Sequence, residues 1–173
     1  KEGILAALIK KIKTGKGCKV SVSLFDAAVA SLANQASSWL SAGINPQPIG
    51  SLHPTIAPYG EIFTSKDKKK IVLAIGNNKQ FELLCDILNI SDIVSDLKFK
   101  TNINRVKNRL ALFEIIQTAI ENNNANELMQ KMKNKDVPAG IIKSVQELFE
   151  DPSTSYLVKN NTCVKTAIYQ ITD

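Results

Sequence analysis

Apolar and polar positions alternate along this chain with two periods, and each change of period marks an element. Ile4, Leu5, Leu8, Ile9 and Ile12 recur at helical spacing across residues 1–13, with lysines gathered in the last turn where cations suit the helix dipole. Thr14-Gly15-Lys16-Gly17 ends that helix with turn chemistry, and the alternation Lys19-Val20-Ser21-Val22 predicts a short strand. Phe25, Ala28, Val29, Leu32, Ala36, Trp39 and Leu40 then line one face of a second helix, which places Trp39 in the core. Ser23 and Asp26 open that helix at capping-box spacing, so Asp26 reads as a cap rather than a catalytic carboxylate.

The central stretch runs from Ile49 to Leu88. Pro54 and Pro58 hold their own φ near −65° and push His53 and Ala57 away from helical geometry, so residues 50–59 form a shaped connector. Two strand-like runs follow, residues 59–65 and 70–75, joined by Lys66-Asp67-Lys68-Lys69. Gly76-Asn77 closes the second run and opens a helix: Asn77 is its N-cap, and Phe81, Leu84, Cys85 and Leu88 share one face. A strand feeding a glycine turn and a helix N-terminus can hold an anion, a weak signal taken alone. Past a turn-rich bridge carrying Ile93, Val94 and Leu97, residues 101–123 make the longest helical pattern, with Val106, Leu110, Phe113, Ile116 and Ile120 as core candidates. Another helix over 125–135 carries Met129 and Met132 as core filler. Val137 to Ile142 reads as a strand, and Ser144 caps a last short helix to Phe149. Residues 167–171 could be a strand without an assigned place.

Composition narrows the function. The chain has 173 residues, 44% of them apolar, and a net charge of +6 from 22 basic and 16 acidic residues. The basic residues are spread out rather than clustered, apart from residues 10–19 and 68–70, which argues for solvated surface over a nucleic-acid face. The six phenylalanines and one tryptophan fall mostly on apolar stripes, which also speaks against base stacking. Three distant cysteines and a single histidine argue against a disulfide framework and a structural zinc site, and suit a reducing cytoplasm. No apolar run approaches the roughly 20 residues that span a bilayer, and no signal-peptide pattern is seen. Gly15-Lys16-Gly17 lacks the rest of a phosphate-loop frame and follows a helix instead of preceding one.

Short motifs in a fixed order carry a family resemblance. They are Lys13-Thr14-Gly15-Lys16-Gly17, Ser23-Leu24-Phe25-Asp26-Ala27, Gly50 with His53-Pro54 and Pro58-Tyr59, and Ile75-Gly76-Asn77 with Gln80-Phe81 and Leu84-Cys85. Thr101-Asn102, Arg105-Val106, Asn108-Arg109 and Val137-Pro138-Ala139-Gly140 continue the series. Together they resemble the second half of family III CoA-transferases, the group that includes formyl-CoA and carnitine CoA-transferases and the α-methylacyl-CoA racemases. Each motif is weak singly; the ordered set, fitting to about Pro152, is strong. The hairpin turn departs from the family pattern, which often has glycine there.

The resemblance implies an α+β fold. Residues 1–42 would be the tail of a large Rossmann-like domain, 43–48 a linker, 49–152 a small domain with a short antiparallel sheet covered by helices, and 153–173 a divergent tail. It also implies that an aspartate carboxylate attacks an acyl-CoA thioester, giving an acyl-aspartyl anhydride and a CoA thiolate that the enzyme retains, after which a second acid enters and leaves as the new CoA thioester. That aspartate is expected just upstream of residue 1, so the chain alone is expected to be inactive and to hold no catalytic nucleophile. The thioester is substrate, with no cofactor and no metal implied. The expected substrate loop and its surroundings comprise Gly50, His53, Pro54, Thr55, Tyr59, Gly76 and Asn77. Glycine at 50 would allow close backbone approach. His53 could donate to a substrate oxygen, act as general acid or base, or hold a purely structural bond. Arg105 and Arg109, one turn apart, could bind a phosphate or pair with a carboxylate. Partners implied are acyl-CoA and a second copy in an interlocked dimer, with no nucleic acid and no membrane; a racemase-like part or a split subunit needing an N-terminal partner are the alternatives.

Overall fold

Chain contacts in the computed structural model, which describes residues 1–159 and 163–164, separate two units, one of Lys1–Pro48 and one starting at Ile49.

The first unit is helical. Helix α1 (Glu2–Thr14) ends on Gly15, whose N–H closes the last turn on the Lys11 carbonyl at 2.8 Å and whose φ of 69° turns the chain out of the helix. The strand expected over residues 19–22 does not form, because no second strand of this unit lies alongside to complete a hydrogen-bond ladder. The second expected helix forms in two pieces, α2 (Leu24–Ser31) and α3 (Asn34–Ala42), with Ala33 at φ 44° between them. Just before the break the Ser31 hydroxyl donates to the Ala28 carbonyl at 2.7 Å, a local bond that competes with helix continuation. Ser23 caps α2 by accepting the Asp26 N–H at 3.2 Å. No residue of this unit is buried. Trp39 is 57% exposed on the rim of an open groove that it lines with Val29, Leu32, Ala36, Leu40 and Pro46, so the expectation that it is core fails. One layer of helix cannot cover its own apolar stripe.

The second unit builds a core. Strands β1 (Tyr59–Thr64), β2 (Lys70–Ala74) and β3 (Ala139–Ile141) form an antiparallel sheet in the order β1-β2-β3. Helices α4 (Asn78–Ile87), α5 (Asn102–Lys107), α6 (Arg109–Glu121), α7 (Ala125–Asn134) and α8 (Val145–Glu150) accompany it, with a 3-10 turn at Ser91–Val94. Phe63, Ile71, Leu73 and Ile75 meet Phe81, Leu84, Leu112, Ile116, Ile120, Leu128 and Met132 in one apolar cluster. Phe63 and Phe113 stack with centroids 4.9 Å apart. The hairpin closes without glycine: Lys68 takes φ 62°, and Asp67 accepts from the Ser65 hydroxyl and from the Ala125 N–H at the start of α7.

The long helix expected over 101–123 is broken at Asn108, whose side chain donates to the Lys98 and Asn104 carbonyls. The break changes the phase of the buried face. Leu112 enters the core and Leu110 stands 82% exposed, the reverse of what one continuous helix predicts. Beyond α8, a 3-10 turn at Pro152–Leu157 leads to a small ladder of β4 (Val158–Lys159) and β5 (Cys163–Val164). The strand considered at 167–171 lies outside the described residues. The result is a mixed helical and antiparallel-sheet chain.

Candidate functional site

The loop before β1 is held mainly by side chains from two helices. Ser51 Oγ donates to the Gly60 carbonyl at 2.6 Å, and the His53 N–H donates to the Tyr59 carbonyl at 2.9 Å, folding residues 51–60 back on themselves. From the helical side Arg109 Nη2 donates to the carbonyls of His53 (2.6 Å) and Ile56 (2.7 Å). Asn102 brackets the next peptides, its Nδ2 donating to the Thr55 carbonyl at 2.7 Å and its Oδ1 accepting the Ala57 N–H at 3.1 Å. Arg105 Nε donates to the Ala57 carbonyl at 2.8 Å. The carbonyls of His53, Thr55, Ile56 and Ala57 are therefore all satisfied by α5 and α6.

Arg105 also joins the loop to α4. It is 1% exposed, lies over the Phe81 ring at 4.4 Å, and donates from Nη1 to the Phe99 carbonyl and from Nη2 to Asn78 Oδ1. Neither arginine remains free for a phosphate: both are engaged with the protein's own backbone. At the α4 N-terminus, Asn77 Oδ1 accepts the Gln80 N–H at 2.9 Å and Gln80 Oε1 accepts the Gly76 N–H at 2.8 Å. Those two amides are used internally.

The expected site residues take different surroundings. Gly50 has φ 66°, which favours glycine, and the place of a Cβ there is open. His53 is half-buried; its Nδ1 faces the Thr55 N–H (3.3 Å) and Oγ1 (3.4 Å), and its ring meets Tyr59 edge-on at 5.3 Å. Pro54 and Thr55 are exposed. Tyr59 pairs with Ala74 across the ladder, two residues before Gly76, so the loop's exit and the Gly76-Asn77 turn lie at the same end of the sheet.

The ladder is irregular between Tyr59 and Ile62, where one extra residue of β1 bulges. Gly60 sits in this bulge at φ 85°, and a Cβ there would run into the Ser51 carbonyl oxygen. Glu61 follows, only 3% exposed, turned inward like Phe63. Its Oε1 lies 3.0 Å from Arg109 Nη1, yet none of these atoms has a well-aligned hydrogen bond. Burial raises the Glu61 pKa above the usual carboxylate range; the nearby Glu61 and Tyr59 amides and the Arg109 charge oppose only part of that.

The match to known proteins covers almost all of the described chain. The model of the family described as CoA-transferase family III matches residues 2–160. The chain belongs to CoA-transferase family III. It is similar to the succinate–glutarate CoA-transferase of Agrobacterium fabrum, at 38% identity over 86% of this chain and 37% of that protein. It is similar also to the human succinyl-CoA:glutarate CoA-transferase, at 34% identity over 86% of this chain and 34% of the relative. Among solved structures, a CaiB/BaiF family protein from Brucella suis superposes with a TM-score of 0.70 at 36% identity, covering 89% of this chain and 40% of that one. The chain thus spans little more than a third of the curated relatives it matches.

Within this family chain, sequence reasoning pointed to the loop but missed what holds it. Gly60, Glu61 and Asn102 had no assigned role, and the two arginines were left between ligand binding and pairing. The available signal was the run Thr101-Asn102 to Asn108-Arg109: polar residues at helical spacing on otherwise apolar helices, the pattern of side chains that reach a neighbouring backbone. Cys85 offers no chemistry here, since burial pushes its thiol up to about 12.

Proposed function

We propose that this chain is part of an enzyme that moves CoA between an acyl-CoA and a carboxylic acid, and that residues 50–59 close over the acyl group. The observation that carries this reading is the family match over residues 2–160 combined with a loop whose carbonyls accept from three side chains, Asn102, Arg105 and Arg109. A loop fixed in this way presents its exposed Pro54 and Thr55, and the half-buried His53 ring, at the end of the sheet where Gly76 and Asn77 lie. Preorganisation of this kind reduces the ordering cost of binding. Relatives of this chain are named for succinyl-CoA with glutarate and for acetyl-CoA with oxalate, which supports a short dicarboxylic acid as acceptor and a small acyl-CoA as donor.

The carboxylate that attacks the thioester is assigned to a part of the enzyme outside residues 1–173. Asp67 is bonded to the Ser65 hydroxyl and the Ala125 N–H, and Asp26 belongs to the cap of α2, which it joins through its backbone N–H. The test is a pair of assays on the purified chain. Succinyl-CoA is titrated by calorimetry, and thioester exchange with free glutarate is followed by chromatography. Binding without exchange is the expected result. Exchange by the chain alone would overturn the placement of the nucleophile, and absence of any succinyl-CoA binding would remove the loop from the acyl site.

A further inference from the structure

We propose that Glu61 and Arg109 are positioning residues for this loop: the buried Glu61 carboxylate holds the Arg109 guanidinium in the one orientation that bonds the His53 and Ile56 carbonyls together. That the positioned loop serves an acyl-CoA site rests on the functional reading above; the positioning itself does not.

Geometry supports the division of labour. A guanidinium is planar, so fixing one nitrogen fixes the directions of the other N–H groups. Arg109 Nη1 lies 3.0 Å from Glu61 Oε1, while Nη2 alone makes both loop contacts, at 2.6 and 2.7 Å. Glu61 is presented by the β1 bulge, next to Gly60, whose carbonyl accepts from Ser51 at the start of the same loop. The carboxylate therefore ties the strand to the helix at a point that the loop bridges. Both Glu61 oxygens are buried without a well-aligned hydrogen-bond donor, an arrangement that is expensive for stability alone. Buried ion pairs of this kind often add little or nothing to global stability, and their best-attested use is to fix one arrangement over others. Arg105 is not a substitute, because its contacts go to Ala57, Phe99 and Asn78.

The experiment compares the full 173-residue chain with Glu61→Gln and Arg109→Lys. Gln keeps the shape without the charge, and Lys keeps the charge without the planar fork. Amide hydrogen exchange is read over residues 51–57 and, separately, over α4 and α6. His53 is the only histidine, so its ring signals in a proton spectrum report the loop without assignment ambiguity. Both variants are expected to speed exchange of the His53 amide by about tenfold, the effect of losing one charge-assisted hydrogen bond. The His53 ring signals should move, while α4 and α6 exchange as in the wild type. Wild-type protection of the loop in Glu61→Gln overturns the proposal. So does a parallel rise in loop and core exchange, which would mark Glu61 as a general stabiliser. If Glu61→Gln does not fold, Arg109→Lys gives the same readout. Failure of the wild-type chain to bind succinyl-CoA would sink the functional reading and leave the exchange result intact.

Discussion

At the scale of single residues, the informative positions are those where the fold tolerates something costly. Glu61 is the clearest, a carboxylate 3% exposed in a bulge beside the loop. Its pKa is raised, burial outweighing the Arg109 charge, so between the ordinary value of 4.5 and the raised one the folded state binds a proton that the unfolded state has lost. Stability from this group is thus fully present below 4.5 and falls as pH rises through the folded pKa. Asp67 acts in the opposite sense: bonds to Ser65 and to the Ala125 amide lower its pKa below 3.8, so its contribution is lost only on stronger acidification. The two windows do not overlap. Urea midpoints followed upward from pH 4.5 should fall in the wild type, and Glu61→Gln should flatten that slope. An unchanged slope would mean that Glu61 is not the group responsible. This residue was not legible in the sequence, because a lone glutamate in a half-polar strand reads as a solvent-facing position. What turns it inward is the Phe63 side of the pleat and the bulge at Gly60, which no local pattern announces.

At the scale of elements, the legible features were those set by local chemistry. Asn77 capping α4 and Ser144 capping α8, with Glu147 returning its bond, follow from side chains acting within one turn. The misread features depend on what lies across from a segment. Periodicity placed Leu110 in the core because it could not see the break at Asn108, which is stabilised by the Lys98 carbonyl ten residues earlier. It made a strand of residues 19–22 although no partner strand is there to pair with. The β1–β2 turn shows how local strain is carried by wider contacts. Lys68 holds φ 62°, a conformation that costs an L-residue roughly 1–2 kcal/mol, while Asp67 is anchored to Ser65 and α7. Lys68→Gly should therefore stabilise the second unit by about 0.5–1 kcal/mol after the entropic cost of glycine is subtracted. The urea midpoint should rise with an unchanged slope. A fall would mean that the turn does not hold its left-handed residue.

At the scale of the whole molecule, the two units differ in how they treat apolar surface. The second encloses a core of sheet and helices, whereas the first leaves Ile4, Leu5, Leu8, Ile9 and Ile12 between 49% and 84% exposed along α1. Phe25 at 75% and Leu40 at 81% continue the pattern on α2 and α3. Monomeric surfaces rarely expose so many large apolar side chains, so we propose that the first unit is a contact surface, which in the purified chain a second copy covers. Sedimentation of the purified chain should give a mass that rises with concentration. Leu8→Lys combined with Ile12→Lys should shift the chain toward monomer, because each removes exposed apolar area worth about 25 cal/mol per Å² once covered. The substitutions lie on an exposed helical face, so the urea transition of the second unit should stay where it was. A wild-type mass equal to one chain at every concentration would show that this face does not bind another copy. A double variant that associates as strongly as the wild type would move the contact off α1 and onto the groove of Val29, Leu32, Trp39 and Leu40, where Trp39→Lys then becomes the deciding substitution.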